Sequence, residues 1–307
     1  MTTSGIVVDL IEAFRRSKTM FVATALGIFD GKRPADVKEL PRLLDACVAL
    51  GLLEKREDSE YVNTTESDRF LRSDSPDTLS GYVLYSNSAL YPMWANLEDA
   101  LREGGPRWKQ TFGLDGSIFS AFFRTDESMC EFLKGMHGFG RLTSPVVVAA
   151  FDLSRFRRLV DLGGASGHLA DAARERYPNL QTTVFDLPVV KRAYPETVAG
   201  DFFTDALPPA DLYMLGRILH DWPDSKIRPL LRKVYDALPD GGGLLIAEKL
   251  LDPENVPAHM QSLNMLICTE GRERTAEEYA ALLKDTGFST VESRRTGTLL
   301  DATLAVK

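Results

Sequence analysis

The sequence predicts an α/β fold: a parallel sheet with covering helices over residues 151–307, preceded by a mostly helical domain over residues 1–150. Three observations carry this. After Asp152 the hydrophobic grammar changes from helical spacing to short apolar runs alternating with amphipathic stretches, the mark of a parallel sheet. Gly163, Gly164 and Gly167 form a glycine-rich turn immediately after the first of those runs. Before Asp152, strand-like patterning is confined to one small hairpin.

In the N-terminal part, Val8, Ile11, Phe14, Met20, Phe21, Ala25, Leu26 and Ile28 fall mostly at helical spacing, which reads as amphipathic helices over residues 6–29. Residues 41–51 continue the theme, with Pro41 suited to a first turn and Gly51 to a helix stop. Residues 52–55 and 61–63 read as short strands around the polar turn 56–60. Helix, glycine stop and hairpin in that order resemble a winged-helix module. Its surroundings are not basic, so the expected role is packing or dimerisation rather than DNA binding. From residue 78 to 151 the pattern is helical and aromatic-rich, broken at 104–106 and 113–116.

In the C-terminal part, residues 157–162 read as a buried strand, 169–177 as its helix and 182–186 as the second strand. Residues 210–215 and 244–248 are later strands, with a helix over 225–238 between them. Thr275 followed by Glu278 opens another helix with a capping-box pattern. Two strand-like runs, 289–295 and 300–306, meet around Thr296 and Gly297 as a closing hairpin.

Composition narrows the function. The 307 residues carry 36 Lys+Arg against 44 Asp+Glu, a formal charge of −8, with 44% hydrophobic residues. Such a chain can bury a large core and has room for about two domains at roughly 150 residues each. The acidic balance, without a sustained basic block, argues against nucleic acid or an anionic membrane as main partner and leaves a small molecule as the default. Cys47, Cys130 and Cys268 lie far apart, which fits neither a disulfide framework nor a zinc site and implies a reducing compartment. No apolar stretch approaches the roughly 18 residues of a membrane span, so a soluble, cytoplasmic protein is expected.

The glycine turn carries chemistry as well as geometry. Gly163 and Gly164 let a ligand approach the backbone closely, and Asp186, at the end of the second strand, can accept hydrogen bonds from ribose hydroxyls. A dinucleotide site would hold a pyrophosphate at the helix N-terminus. Here Asp161 stands two residues before the first glycine, which suits a cationic ligand better. S-adenosylmethionine, with an ammonium, a sulfonium and an adenosine but no phosphate, meets that demand. Gly200, Asp201 and Phe202 follow the expected third strand, where an acid can meet the adenine amino group and an aromatic can stack on the ring. Phe203 is expected to be plain core packing.

Residues 217–222 (RILHDW) lie at the C-terminal end of a strand, the edge over which open α/β sheets bind ligands. Moving a methyl from sulfur to a phenol requires removal of a proton with a free pKa of about 10, for which a neutral imidazole is a natural acceptor. His220 is therefore the expected general base, with Asp221 beside it. A base needs a second group to hold its tautomer. Glu248 and Glu273 are the candidates, although Glu273 could instead offset a helix N-terminus. No acidic cluster has the ligand spacing of a magnesium enzyme, so no metal is called for.

With these residues in view, the stretches 151–156 (FDLSRF), 160–164 (VDLGG), 184–188 (VFDLP), 200–203 (GDFF), 217–222 (RILHDW), 263–266 (LNML) and 269–275 (TEGRERT) resemble the class I S-adenosylmethionine-dependent O-methyltransferases of the acetylserotonin O-methyltransferase type, which includes plant-type small-molecule enzymes. The likeness runs from residues 9–14 to 300–307. It implies a Rossmann-like methyltransferase domain with an N-terminal winged-helix dimerisation domain. It also implies His220 as base flanked by Glu248 and Glu273, with Arg217 and residues 200–202 against the cofactor. Asn264 and Met265 would line the pocket of a small hydroxylated aromatic acceptor, and a homodimer is expected because a partner subunit often closes that pocket. His137 is a further candidate acceptor contact, one of several aromatic and soft side chains at helical spacing, most of which read as core.

Three departures stand out. Ala165 replaces a third consecutive glycine, residues 31–40 leave no room for a full helix-turn-helix, and only 14 residues separate Asp186 from Asp201. The last two are either natural truncations or segments absent from the sequence as written, the second being the expectation. Two rival readings stand beside the enzyme: a catalytically silent homologue that keeps S-adenosylmethionine, and a winged-helix regulator, which the acidic charge opposes.

Overall fold

A computed structural model describes residues 5–116, 119 and 122–307. The chain divides into two compact units, residues 1–92 with 125–139, and 93–124 with 140–307. In the first, α1 (Ile6–Ala25) buries its C-terminal end while Ile6, Val7, Val8, Leu10, Ile11 and Phe14 stay exposed. α2 (Leu40–Ala49) carries Pro41 in its first turn, and Gly51, just beyond its end, has φ +74°, a conformation that strains any side chain. β1 (Leu53–Lys55) and β2 (Tyr61–Asn63) pair as the expected antiparallel hairpin. Residues 31–39 pass between helices as turns, so the short connection closes without a further helix. Ala23, Ile28, Phe29, Leu44, Cys47 and Leu53 form this unit's core.

Next come α3 (Thr65–Phe70), α4 (Ser80–Tyr85), α5 (Tyr91–Trp94), α6 (Leu97–Glu103), α7 (Trp108–Phe112) and the long α8 (Asp126–Ala149). Residues 93–124 and 140–150, expected with the N-terminal domain, fall in the second unit. The reason is local: Arg107 N donates to Ile267 O at 2.8 Å and Trp108 Nε1 to Cys268 O at 2.8 Å, tying α7 to a helix far along the chain.

The second unit contains β3 (Arg158–Leu162), α9 (His168–Arg176), β4 (Gln181–Asp186), β5 (Val198–Ala199), β6 (Leu212–Gly216), α10 (Asp224–Ala237), β7 (Gly243–Glu248), α11 (Val256–Cys268), α12 (Ala276–Thr286), β8 (Thr290–Arg294) and β9 (Asp301–Val306). Seven strands form one sheet in the order β5-β4-β3-β6-β7-β9-β8, the first five mutually parallel, β9 antiparallel to β7, and β8 antiparallel to β9. This is the Rossmann-like α/β architecture. Leu212–Leu215 and every residue of β7 are buried, as a sheet covered on both faces requires. The crowded stretch between Asp186 and Asp201 is solved with a single 3-10 turn, Val190–Arg192, and the two-residue β5. Strand order reverses between β3 and β6, which opens a crevice at their C-terminal ends. Among the described residues no helix is long and apolar enough to cross a membrane.

Candidate active site

The turn after β3 is built around backbone conformations that most residues avoid. Gly163 has φ +72°, and a Cβ there would sit 2.5 Å from Ile218 Cδ1. Gly167, at φ +77°, starts α9. Ala165 stands at φ +48° where glycine would be unstrained, and its N–H donates to Asp186 Oδ2 at 2.8 Å, a bond that offsets the strain. The other Asp186 oxygen accepts from Leu187 N at 2.7 Å, and burial raises this carboxyl's pKa.

Asp161 is the acid beneath the turn. A Cβ on Gly164 would lie 2.5 Å from its carboxylate, so only glycine fits there. Asp161 is buried, its Oδ2 has no hydrogen-bond partner, and burial, then the neighbouring Asp186, pushes its pKa up to about 7. A buried carboxylate oxygen without a partner next to a cradle that any side chain would fill suits an ammonium and repels a pyrophosphate.

Gly200 is needed for packing, since a Cβ there would meet the Phe185 ring at 2.3 Å. Asp201 folds one oxygen back onto Phe203 N at 2.8 Å. The Phe202 ring is 3.3 Å from where a Cβ on Gly163 would sit, which places this aromatic against the glycine turn. Phe203 packs edge-on against Trp222, ring centroids 5.1 Å apart.

β6 delivers the second half of the site. Arg217 adopts φ +58° and donates its N–H to Ala247 O at 3.0 Å, turning the chain out of the sheet into the 3-10 turn Leu219–Asp221. Glu248, fully buried at the end of the neighbouring β7, accepts from Ile218 N at 3.1 Å and Leu219 N at 2.9 Å through Oε1, so a carboxylate caps the turn that carries His220. Its Oε2 lies 3.1 Å from His220 Nδ1. Glu273 Oε1 lies 2.7 Å from the same nitrogen.

Two carboxylates facing Nδ1 place the ring proton there and leave Nε2, with Asp221 Oδ1 at 3.8 Å, as the basic nitrogen. Burial alone would lower the His220 pKa, but Glu248, Glu273 and Asp221 together outweigh it and hold it at about 10. Burial lifts Glu248 to about 7 and Asp221 to about 6. Glu273 is fully buried on the imidazole, while Glu277 and Glu278 occupy the first turn of α12 and offset its dipole. The ligand atoms of His220, Glu248 and Glu273 lie within 4.8 Å of one another, a spacing that could hold a metal. The 2.7 Å contact to Nδ1, however, is hydrogen-bond length, which marks an ion pair.

Arg274 was assigned no role from sequence, although it sits in the 269–275 motif. It is 1% exposed and donates to Leu219 O at 3.1 Å, Trp222 O at 3.0 Å and Asp224 Oδ1 at 2.8 Å. It clamps both sides of the His220–Asp221 turn, which makes it a positioning residue. Gly271 allows the same loop to lie on that turn, since a Cβ there would be 2.2 Å from His220 O.

On the acceptor side, Met265 is buried on α11 and Asn264 accepts from Trp94 Nε1 at 2.9 Å. Indole only donates, so the Asn264 oxygen is fixed toward Trp94 and its NH₂ toward other partners. Trp94 is a second residue that sequence reasoning passed over as core. His137 is half-buried on α8, within the first compact unit.

The O-methyltransferase domain family matches residues 94–289, the span that holds the glycine turn, His220, Glu248 and Glu273. The chain belongs to this family. The O-methyltransferase is 40% identical to the acetylserotonin O-methyltransferase of Gallus gallus over 98% of this chain and 97% of that one. It is 39% identical to that of Bos taurus, over 97% and 96%. The crystal structure of human N-acetylserotonin methyltransferase in complex with SAM matches with a TM-score of 0.93 at 35% identity, covering 100% of this chain and 99% of that one. The enzyme is an S-adenosylmethionine-dependent O-methyltransferase, and the orphaned Asp161 oxygen and glycine cradle fit that cofactor.

Proposed function

We propose that this O-methyltransferase methylates the hydroxyl of a small aromatic molecule, with His220 as general base. The observation that carries the reading is the buried imidazole with Nδ1 held 2.7 Å from Glu273 and 3.1 Å from Glu248. S-adenosylmethionine, when bound, supplies a methyl group on a sulfonium, and S-adenosylhomocysteine is left.

The chain's own residues do the rest. Gly163 and Gly164 admit the cofactor to the backbone, with Asp186, Gly200, Asp201, Phe202 and Arg217 around it. Nε2 of His220 takes the hydroxyl proton, Asp221 neighbours that nitrogen, and Glu273 and Glu248 stabilise the imidazolium that forms. A base held at about 10 is matched to a phenol of similar pKa, so little driving force is lost in the proton transfer. Asn264 and Met265 contact the acceptor. Freeing Asn264 from Trp94 by Trp94→Phe is expected to raise the acceptor KM several-fold with little change in kcat; an unchanged KM would remove the orienting role.

Titrating S-adenosylhomocysteine calorimetrically and assaying a panel of hydroxylated aromatics tests the whole reading. Absence of heat defeats the cofactor site, and heat without turnover leaves the catalytically silent alternative.

The enzyme is further proposed to be a cytoplasmic homodimer, its first unit serving as a winged-helix dimerisation domain and its second as the catalytic domain. The exposed Ile6, Val7, Leu10 and Phe14 of α1 support this, because such an apolar run calls for a covering surface. Phe14→Glu is expected to shift sedimentation toward the monomer; a native variant that already sediments as a monomer would exclude the dimer.

A further inference from the structure

We propose that Lys249 forms a subsite for a carboxylate on the methyl acceptor, so that the preferred acceptors are hydroxylated aromatic acids. The inference rests on the methyl-transfer reading above and narrows its substrate class.

Lys249 directly follows Glu248 at the C-terminal end of β7, and Arg217 directly follows Gly216 at the end of β6. These strands are parallel neighbours, with Gly216 opposite Ala247, so the two cations leave the sheet side by side on the edge where open α/β sheets bind ligands. Lys249 is half-buried rather than spread on the surface. Among the described residues its ammonium has one hydrogen-bond partner, the neutral Gln261 Oε1 at 3.5 Å, the outer limit of such a bond. No carboxylate among the described residues forms an ion pair with it.

The electrostatics are unfavourable to the cation as it stands. Burial and then the charge of Arg217 lower the Lys249 pKa, and only Glu273 opposes them. Glu273 is itself engaged with His220. A partly desolvated ammonium beside a second cation is costly, and an anion bound at Lys249 relieves that cost.

The neighbouring helix points to the same chemistry. Gln261 and Asn264 are three residues apart on α11 and so share a face. Gln261 reaches Lys249, and the Asn264 oxygen is taken by Trp94, so its NH₂ remains to donate. Lys249 Nζ and Asn264 Nδ2 are both donors, the chemistry that a carboxylate accepts from.

The cofactor also carries a carboxylate. Its glycine cradle follows β3, however, two strands from β7, or about 10 Å across the sheet, which assigns the Lys249 subsite to the acceptor.

The test uses the full-length enzyme and matched pairs of hydroxybenzoic, hydroxycinnamic and hydroxyindole acids with their methyl esters. Native enzyme is expected to prefer the acid in kcat/KM by about ten- to hundredfold, the preference to collapse in Lys249→Gln, and Lys249→Arg to recover part of it. Calorimetry with S-adenosylhomocysteine is expected to give the same affinity for native enzyme and Lys249→Gln. Esters turned over as well as acids, or an acid preference that survives Lys249→Gln, overturns the subsite while methyl transfer stands. Weakened S-adenosylhomocysteine binding in the variant reassigns Lys249 to the cofactor. Turnover of neither acids nor esters defeats the methyl-transfer reading and the subsite with it.

Discussion

His220→Ala is expected to lower kcat by about 10²- to 10⁴-fold while leaving the affinity for S-adenosylhomocysteine nearly unchanged. In the proposed mechanism the imidazole takes the hydroxyl proton, and the cofactor cradle is built from β3 and β4, not from its side chain. Alanine also removes the partner of two fully buried carboxylates, Glu248 and Glu273, so the variant can lose stability for reasons unrelated to proton transfer. His220→Asn supplies the control, since a carboxamide NH₂ can still donate to Glu273 but cannot act as a base. Both variants should bind S-adenosylhomocysteine with native heat and fail in single-turnover assays. Full activity in either one would remove His220 from the role of base.

Glu273→Gln should move the pH dependence of kcat/KM to lower pH and reduce its plateau. Proton abstraction requires neutral His220, so the rate climbs as pH rises through its pKa, held at about 10 by Glu248, Glu273 and Asp221 against burial. Glutamine keeps the size of Glu273 but removes one of the charges that raise that pKa. The imidazole then loses its proton at lower pH and becomes a weaker base, which is why the plateau falls. The stability sign follows from the same shift. A histidine raised from 6.5 to about 10 on folding contributes stability that is fully present below about pH 6.5 and lost as pH rises through about 10. Thermal midpoints of the variant should therefore fall less steeply than native ones across that window. A pH–rate profile superimposable on the native one would mean that Glu273 does not set the basicity of His220.

Local chemistry was readable from the chain. The capping box of Thr275 and Glu278 forms in both directions, and Pro41 and Gly51 bracket α2 as their backbone preferences require. Burial with a period of two or near four exposed most strands and helices, and the glycines at 163, 164 and 167 marked the cradle because only glycine meets those steric demands. The closing hairpin was legible too, but not its insertion order: β9 pairs with β7 and leaves β8 at the edge. No local residue preference specifies which of two antiparallel strands docks first.

By itself, then, the sequence determined the types of element and the strand-to-helix turn for the cofactor, and singled out His220 as the imidazole to propose as base, because each depends on residues within a few positions of one another. Only the tertiary structure decided which carboxylate holds Nδ1, that Glu248 caps the turn through its backbone N–H groups, that Arg274 clamps it, and that Trp94 orients Asn264. Those partners stand from 28 to 170 residues apart, brought together by the packing of β6, β7, α11 and the loop before α12. Their pairing follows from burial, which makes an unpartnered charge or donor too costly to leave alone.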